Sequence, residues 1–144
     1  DVTVIPSKTI PQGIQALFEF DETLDRDENV ENMNEMLTEV KTGLVTYATR
    51  DTSIEGLSVQ KNDFIGLNDE TIIVSEKTRL AAVQALIEQL IDEDDELITV
   101  FAGEDVSSEE IAELENFMVN NYAEVEVEFH EGNQPIYSYI IMVE

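Results

Sequence analysis

With 144 residues and 42% apolar content, the chain can close a core as one ordinary domain or two small subdomains. Its 33 Asp and Glu against 7 Lys and Arg leave a formal charge of -26, which argues against nucleic acid and anionic membrane surfaces, whose phosphates require a basic face. The absence of cysteine excludes disulfides, thiolate metal sites and a thiol nucleophile.

In chain order, Val2 to Ile5 read as a short β-strand. The loop "PSKTIP" follows, and small hydroxyl residues ahead of a helix start suit a phosphate or carboxylate. Pro11 removes a helix N–H donor and Lys8 is the only charge, so a rigid turn is the preferred reading; Ser7, Lys8 and Thr9 form a weaker anion-binding candidate. Ile14, Leu17 and Phe18 then mark a short helix, and Val30, Met33, Met36, Leu37 and Val40 a second one after an acidic loop. A strand beginning almost at residue 1 lacks cover for its other face, so residues 1–40 are expected to be the tail of a truncated preceding domain.

From Lys41 the composition turns to Val, Thr, Tyr and Ile, punctuated by Asp51, Glu55-Gly56 and Asn68-Asp69. This predicts a small antiparallel β segment over 41–75, with strands near 42–50, 53–59, 64–67 and 71–74. Residues 76–144 read as an α/β sandwich subdomain. Its helix carries Leu80, Val83, Leu86, Ile87 and Leu90, and an apolar strand runs from Leu97 to Ala102. Ser107 with Glu110 supplies a capping box for a helix bearing Ile111, Leu114, Phe117 and Met118. Val125, Val127 and Phe129 alternate with acids and His130, and a last strand spans Ile136 to Val143. The fold class expected is α+β: a short antiparallel meander followed by a β-α-β-α-β-β mixed sheet covered by two helices.

Catalytic constellations are weak. An EF-hand reading of Asp25, Asp27 and Asn29 fails where glycine and a bidentate glutamate are needed, at Val30 and Met36. His130 is the lone histidine, with Glu128 and Glu131 beside it; it reads as structural, or as a charged donor to a partner. No serine or carboxylate grouping supplies a nucleophile, base and orienting group, so no catalytic residue, metal or cofactor is assigned to this stretch. Residues 80–144 contain no Lys or Arg, and Arg50 beside Asp51 reads as a structural pair or a contact to an acidic partner. No apolar run spans a bilayer and none follows a basic leader, so a cytoplasmic protein without membrane insertion is expected.

The stretches "VIPSKTIPQGIQAL", "ENMNEMLTEVKTGLVTYATRDT" and "EGNQPIYSYIIMVE" resemble the C-terminal region of the dihydroxyacetone-kinase-like ATP-binding subunit of bacterial fatty acid kinase, over essentially the whole chain. Asn133 departs from the family, whose members often have a second glycine there. The resemblance implies upstream domains of the same chain that bind ATP and magnesium and contribute catalysis and dimer formation. It also implies that this region engages a separate fatty-acid-binding carrier protein, whose bound fatty acid carboxylate is phosphorylated. Thr42, Arg50, His130, Gln134 and Tyr137 lie in the distinctive signatures and are the candidate partner contacts. The alternatives are a domain binding a phosphorylated small molecule through the 6–11 loop, and a structural module for homodimerisation.

Overall fold

Each helix starts at a residue whose side chain replaces a missing backbone partner. The computed structural model describes residues 2–144. Helix α1 (Ile10–Phe18) is capped by Thr9, which accepts from the Gln12 N–H at 3.3 Å, and Pro11 occupies the first turn, where no N–H is needed. Helix α2 (Arg26–Glu39) opens on a full capping box between Asp25 and Glu28. Helix α3 (Arg79–Leu90) starts at Thr78 and helix α4 (Ser108–Asn121) at Ser107. The capping box expected at Ser107 is half formed, because the Glu110 carboxylate reaches Arg79 and Tyr139 instead.

Eight strands complete the described residues: β1 (Lys41–Tyr47), β2 (Thr52–Ile54), β3 (Leu57–Val59), β4 (Phe64–Asn68), β5 (Thr71–Glu76), β6 (Leu97–Ala102), β7 (Glu126–Glu131) and β8 (Tyr139–Val143). Six form a mixed sheet in the order β5-β4-β1-β8-β6-β7, in which only β6 and β7 run parallel. Strands β2 and β3 form a separate hairpin. The α+β mixed sheet is therefore the observed class, and three details differ from expectation.

Val2 to Ile5 pair with no strand, and Val2 and Val4 lie exposed: β-prone residues form a ladder only where a neighbouring edge is available. The strand expected over 53–59 is two strands, because Glu55 and Gly56 adopt φ of 49° and 88° and turn the chain back. The last strand starts at Tyr139 rather than Ile136, whose φ of 73° is incompatible with the ladder. The boundary expected at residue 75 marks no break in the sheet, since β1 sits between β4 and β8.

The core lies on one face. Val83, Leu86, Ile87 and Leu90 of α3, with Leu114 and Met118 of α4, pack on Val45, Ile98, Val100, Tyr139, Ile141 and Val143. Each large side chain so buried contributes roughly 1.5–3 kcal/mol of transfer free energy. Gly43 lets α3 come this close: a Cβ there would lie 2.5 Å from Leu90 Cδ1. Lys41 ties the end of α3 to β1, donating to Leu90 O at 3.0 Å and to the Asp92 and Asp95 carboxylates at 2.8 and 2.6 Å. That contact absorbs two members of the acidic run at 92–96.

Candidate functional site: the open face of the sheet

Because Gly43 faces α3 and side chains alternate along a strand, Thr42 and Leu44 point to the opposite face. Register then places Leu67, Leu44, Ile140, Phe101 and His130 in one row across β4, β1, β8, β6 and β7. The β2–β3 hairpin covers one corner of this face through Val59 and Leu57 on Ile65 and Leu67. Near the end of the sheet where Thr42 lies, α1 is joined to β1 by the Thr9 and Thr42 hydroxyls, 2.9 Å apart, and to the chain end by Gln15 donating to Glu144.

Between these covers is a cavity of about 660 Å³ whose lining includes Lys8, Thr9, Leu44, Leu67, Tyr137 and Ile140, together with Asp69 and Glu70. All three stretches that distinguish the sequence contribute: Lys8 and Thr9 from the first, Leu44 from the second, Tyr137 and Ile140 from the third. As an anion site it is poorly equipped. The Thr9 hydroxyl is engaged by the helix cap and Thr42, Gln12 Oε1 accepts the Lys8 N–H at 2.9 Å, and two carboxylates share the lining with the Lys8 amine.

The loop over 132–138 forms one wall and is over-determined. Gln134 Nε2 donates to both Phe101 O and Tyr137 O at 3.0 Å, and Thr46 Oγ1 donates to Ile136 O at 2.7 Å. Gly103 is required beneath it, since a Cβ there would sit 2.6 Å from Tyr137 O and 3.0 Å from Gln134 O. Asn133, the departure from the family pattern, takes φ of 51°, a left-handed conformation that asparagine tolerates better than most residues.

Behind the loop a charged network fixes its base. Arg79 donates two bonds of 2.8 Å to the Glu110 carboxylate and one of 2.7 Å to Asp105, while Ser138 Oγ donates to Asp105 at 2.8 Å and Tyr139 OH to Glu110 at 2.9 Å. The fork-like pairing with Glu110 holds the Arg79 guanidinium even more firmly in its charged form. Burial, reinforced by the neighbouring Glu110 carboxylate, pushes the Tyr139 phenol far above its ordinary range.

The structure separates the expected partner contacts. Tyr137 is exposed at the cavity wall. Thr42 is fully buried against Thr9, so it braces α1 and is inaccessible to a partner. Gln134 is half-buried and spends its amide inside the loop. His130 is exposed on β7, stacked on Phe101 with ring centroids 5.3 Å apart and 3.3 Å from Glu128. Arg50 is exposed after β1; the Asp51 carboxylate accepts the Lys61 N–H at 2.7 Å, and among the described residues Arg50 forms no ion pair. Arg26, Lys41, Lys77 and Arg79 are paired with carboxylates of the chain itself, so little positive charge is left to offset the acidic surface. The acidic loop before α2 is organised by buried Asn29, whose amide donates to Asp21 O, Leu24 O and Asp25 O. Ile136, 71% exposed, is a surface residue that the sequence reading does not single out.

These features define an α+β domain that keeps one sheet face largely for presentation, with its charged groups tied into structural networks. The chain belongs to the FakA-like family of fatty acid kinase C-terminal domains, whose model matches residues 1–144. It is 45% identical to protein YloV of Bacillus subtilis over 143 residues, 99% of this chain and 26% of that protein. Relatives from Staphylococcus saprophyticus and Staphylococcus epidermidis are 42% and 40% identical across the whole chain, again over 26% of their length. The chain thus spans about a quarter of the curated relatives it matches. In fold it is similar to a DegV family protein from Corynebacterium glutamicum, with a TM-score of 0.60 at 12% identity, covering 99% of this chain and 63% of that one. No helix among the described residues is long and apolar enough to cross a membrane.

Proposed function

We propose that this domain is the carrier-docking module of a fatty acid kinase: it holds a fatty-acid-binding carrier protein in place while ATP-dependent phosphorylation of the bound fatty acid takes place elsewhere in the kinase chain. The observation that supports this best is the convergence of three stretches, distant in sequence, on one wall-and-floor arrangement around Tyr137 and Ile140. Family membership supplies the fatty acid kinase context. The charge of -26, with four of the cations engaged internally, favours a partner with basic patches and fast, salt-sensitive association.

The upstream domains of the same polypeptide are the second expected partner. The exposed apolar side chains of Leu17, Phe18 and Phe20 support a surface for them, since so many apolar groups grouped on short neighbouring segments commonly mark an interface.

Isothermal titration of the full-length kinase chain with fatty-acid-loaded carrier tests the reading. Binding that weakens at least tenfold between low and high salt, and weakens further in Tyr137→Ala, is expected. No heat at either salt concentration overturns it. A rise in melting temperature with millimolar nucleotide on the 144-residue domain alone would favour the small-molecule alternative instead.

A further inference from the structure

Resting on the docking function above, we propose that Ile136 is the anchor of the contact: an apolar knob, pre-set by the loop, that enters an apolar pocket ringed by basic side chains on the carrier protein. Ile136 has φ of 73°, and the Tyr137 N–H donates across it to Pro135 O at 2.8 Å. This is the rare, strained form of the three-residue turn, and a β-branched residue is the least suited to it. Glycine would make the same turn without the steric penalty.

The isoleucine side chain brings the fold nothing in return. It is 71% exposed, and the loop is held through main-chain groups: its own carbonyl by Thr46, and its neighbours by Gln134, Gly132 and Gly103. Strain that persists because the surroundings over-determine it is a mark of functional positions. Here its effect is to aim four apolar carbons into solvent on a support that cannot relax away, next to the half-exposed Tyr137 ring.

The surroundings identify the complement. Glu131 precedes the loop, the Glu104 N–H bonds Gln134 O, Asp105 bonds Ser138, and Asp69 and Glu70 line the same cavity as Tyr137. Arg79, the nearby cation of this network, is engaged by Glu110 and Asp105. An apolar centre within carboxylates fits a pocket whose floor is apolar and whose rim is Lys or Arg, the arrangement in which a central anchor dominates affinity and the rim sets approach.

The decisive variant is Ile136→Gly in the full-length kinase chain, with Ile136→Asn as a second residue tolerant of positive φ. Titration with fatty-acid-loaded carrier should show affinity reduced tenfold or more in both, while the melting temperature of Ile136→Gly stays level or rises. Affinity within twofold of the parent would overturn the anchor but leave the docking reading standing, because the parent still binds. A parent that does not bind overturns both. Loss of affinity accompanied by a lowered melting temperature in both variants would make the side chain a structural element, contrary to the proposal. Sedimentation showing that the variants dissociate a homodimer while carrier binding is unaltered would assign the knob to a second copy of the chain and likewise sink it.

Discussion

The hydroxyls of Thr9 and Thr42 lie 2.9 Å apart and join the first turn of α1 to the centre of the sheet through β1. Thr42 is fully buried, and Thr9 is at the same time the cap of its helix. Thr42→Val keeps the shape and removes the bond, so it should cost about 1 kcal/mol of stability, read as a lower urea midpoint at constant m-value. Carrier affinity should stay within twofold, because Thr42 is out of reach of any partner. A large loss of affinity with unchanged stability would contradict this bracing role.

Tyr139 gives a pH prediction with a definite sign. Its phenol is pushed up in the folded state by burial and by the Glu110 carboxylate, whereas in the unfolded chain it ionises near its usual value of about 10. Below that pH the phenol is neutral in both states and the stabilisation is fully present. Above it the unfolded chain releases a proton that the folded chain retains, so stability declines as pH rises. Denaturant titrations between pH 9 and about 11 should show this decline in the parent and a shallower one in Tyr139→Phe. Parallel slopes would mean that Tyr139 ionises equally well in the fold.

The partner of that phenol makes a larger effect testable. Arg79→Met leaves the Glu110 and Asp105 carboxylates without their cation in a partly buried site, and the expected loss is about 2–4 kcal/mol. Glu110→Gln with Arg79→Met should recover part of it, as a coupled pair must. Strict additivity in the double-mutant cycle would show that the two act independently.

Much of this architecture is legible locally. The stripe Leu80, Val83, Leu86, Ile87 and Leu90 and the cap at Ser107 each lie within one helix, and helix α3 and helix α4 form where those signals stand. What depends on distant partners is not legible. Val2 to Ile5 have strand-forming residues without an edge to pair with, and the meeting of Lys8, Leu44 and Tyr137 follows from β1 lying between β4 and β8, an order that no local pattern encodes. The sequence marks "QPIY" as distinctive, yet isoleucine is the last residue one would place at positive φ, so the feature that sets Ile136 apart is hidden by its own chemistry.

Gly103 links the core to the presenting loop. Its missing Cβ leaves room for the carbonyls of Tyr137 and Gln134, and main-chain atoms cannot step aside as a side-chain tip can. Gly103→Ala should therefore displace the loop, reducing carrier affinity about tenfold and stability by roughly 1–3 kcal/mol, in the manner of an overpacked site. Gly56→Ala, where nothing stands within 4 Å but φ is 88°, is the control: it strains the hairpin turn and should leave carrier binding unaltered. Equal effects of the two on affinity would refute a specific role for the 132–138 loop.

The last prediction concerns α1. Leu17 and Phe18 are 69% and 76% exposed, so in the 144-residue domain alone a change there removes little burial. Phe18→Ser should accordingly shift the stability of the isolated domain by no more than about 0.5 kcal/mol. In a full-length kinase chain, where the remaining three quarters or so of the polypeptide seen in the relatives is present, the proposed interface with the upstream domains would cover this ring. There the same substitution should lower the melting temperature by several degrees and speed proteolysis at the domain junction, because a buried aromatic is worth roughly 3–5 kcal/mol. A small effect in both contexts would mean that the face stays wet, and the apolar surface of α1 would then have to meet some other molecule or none.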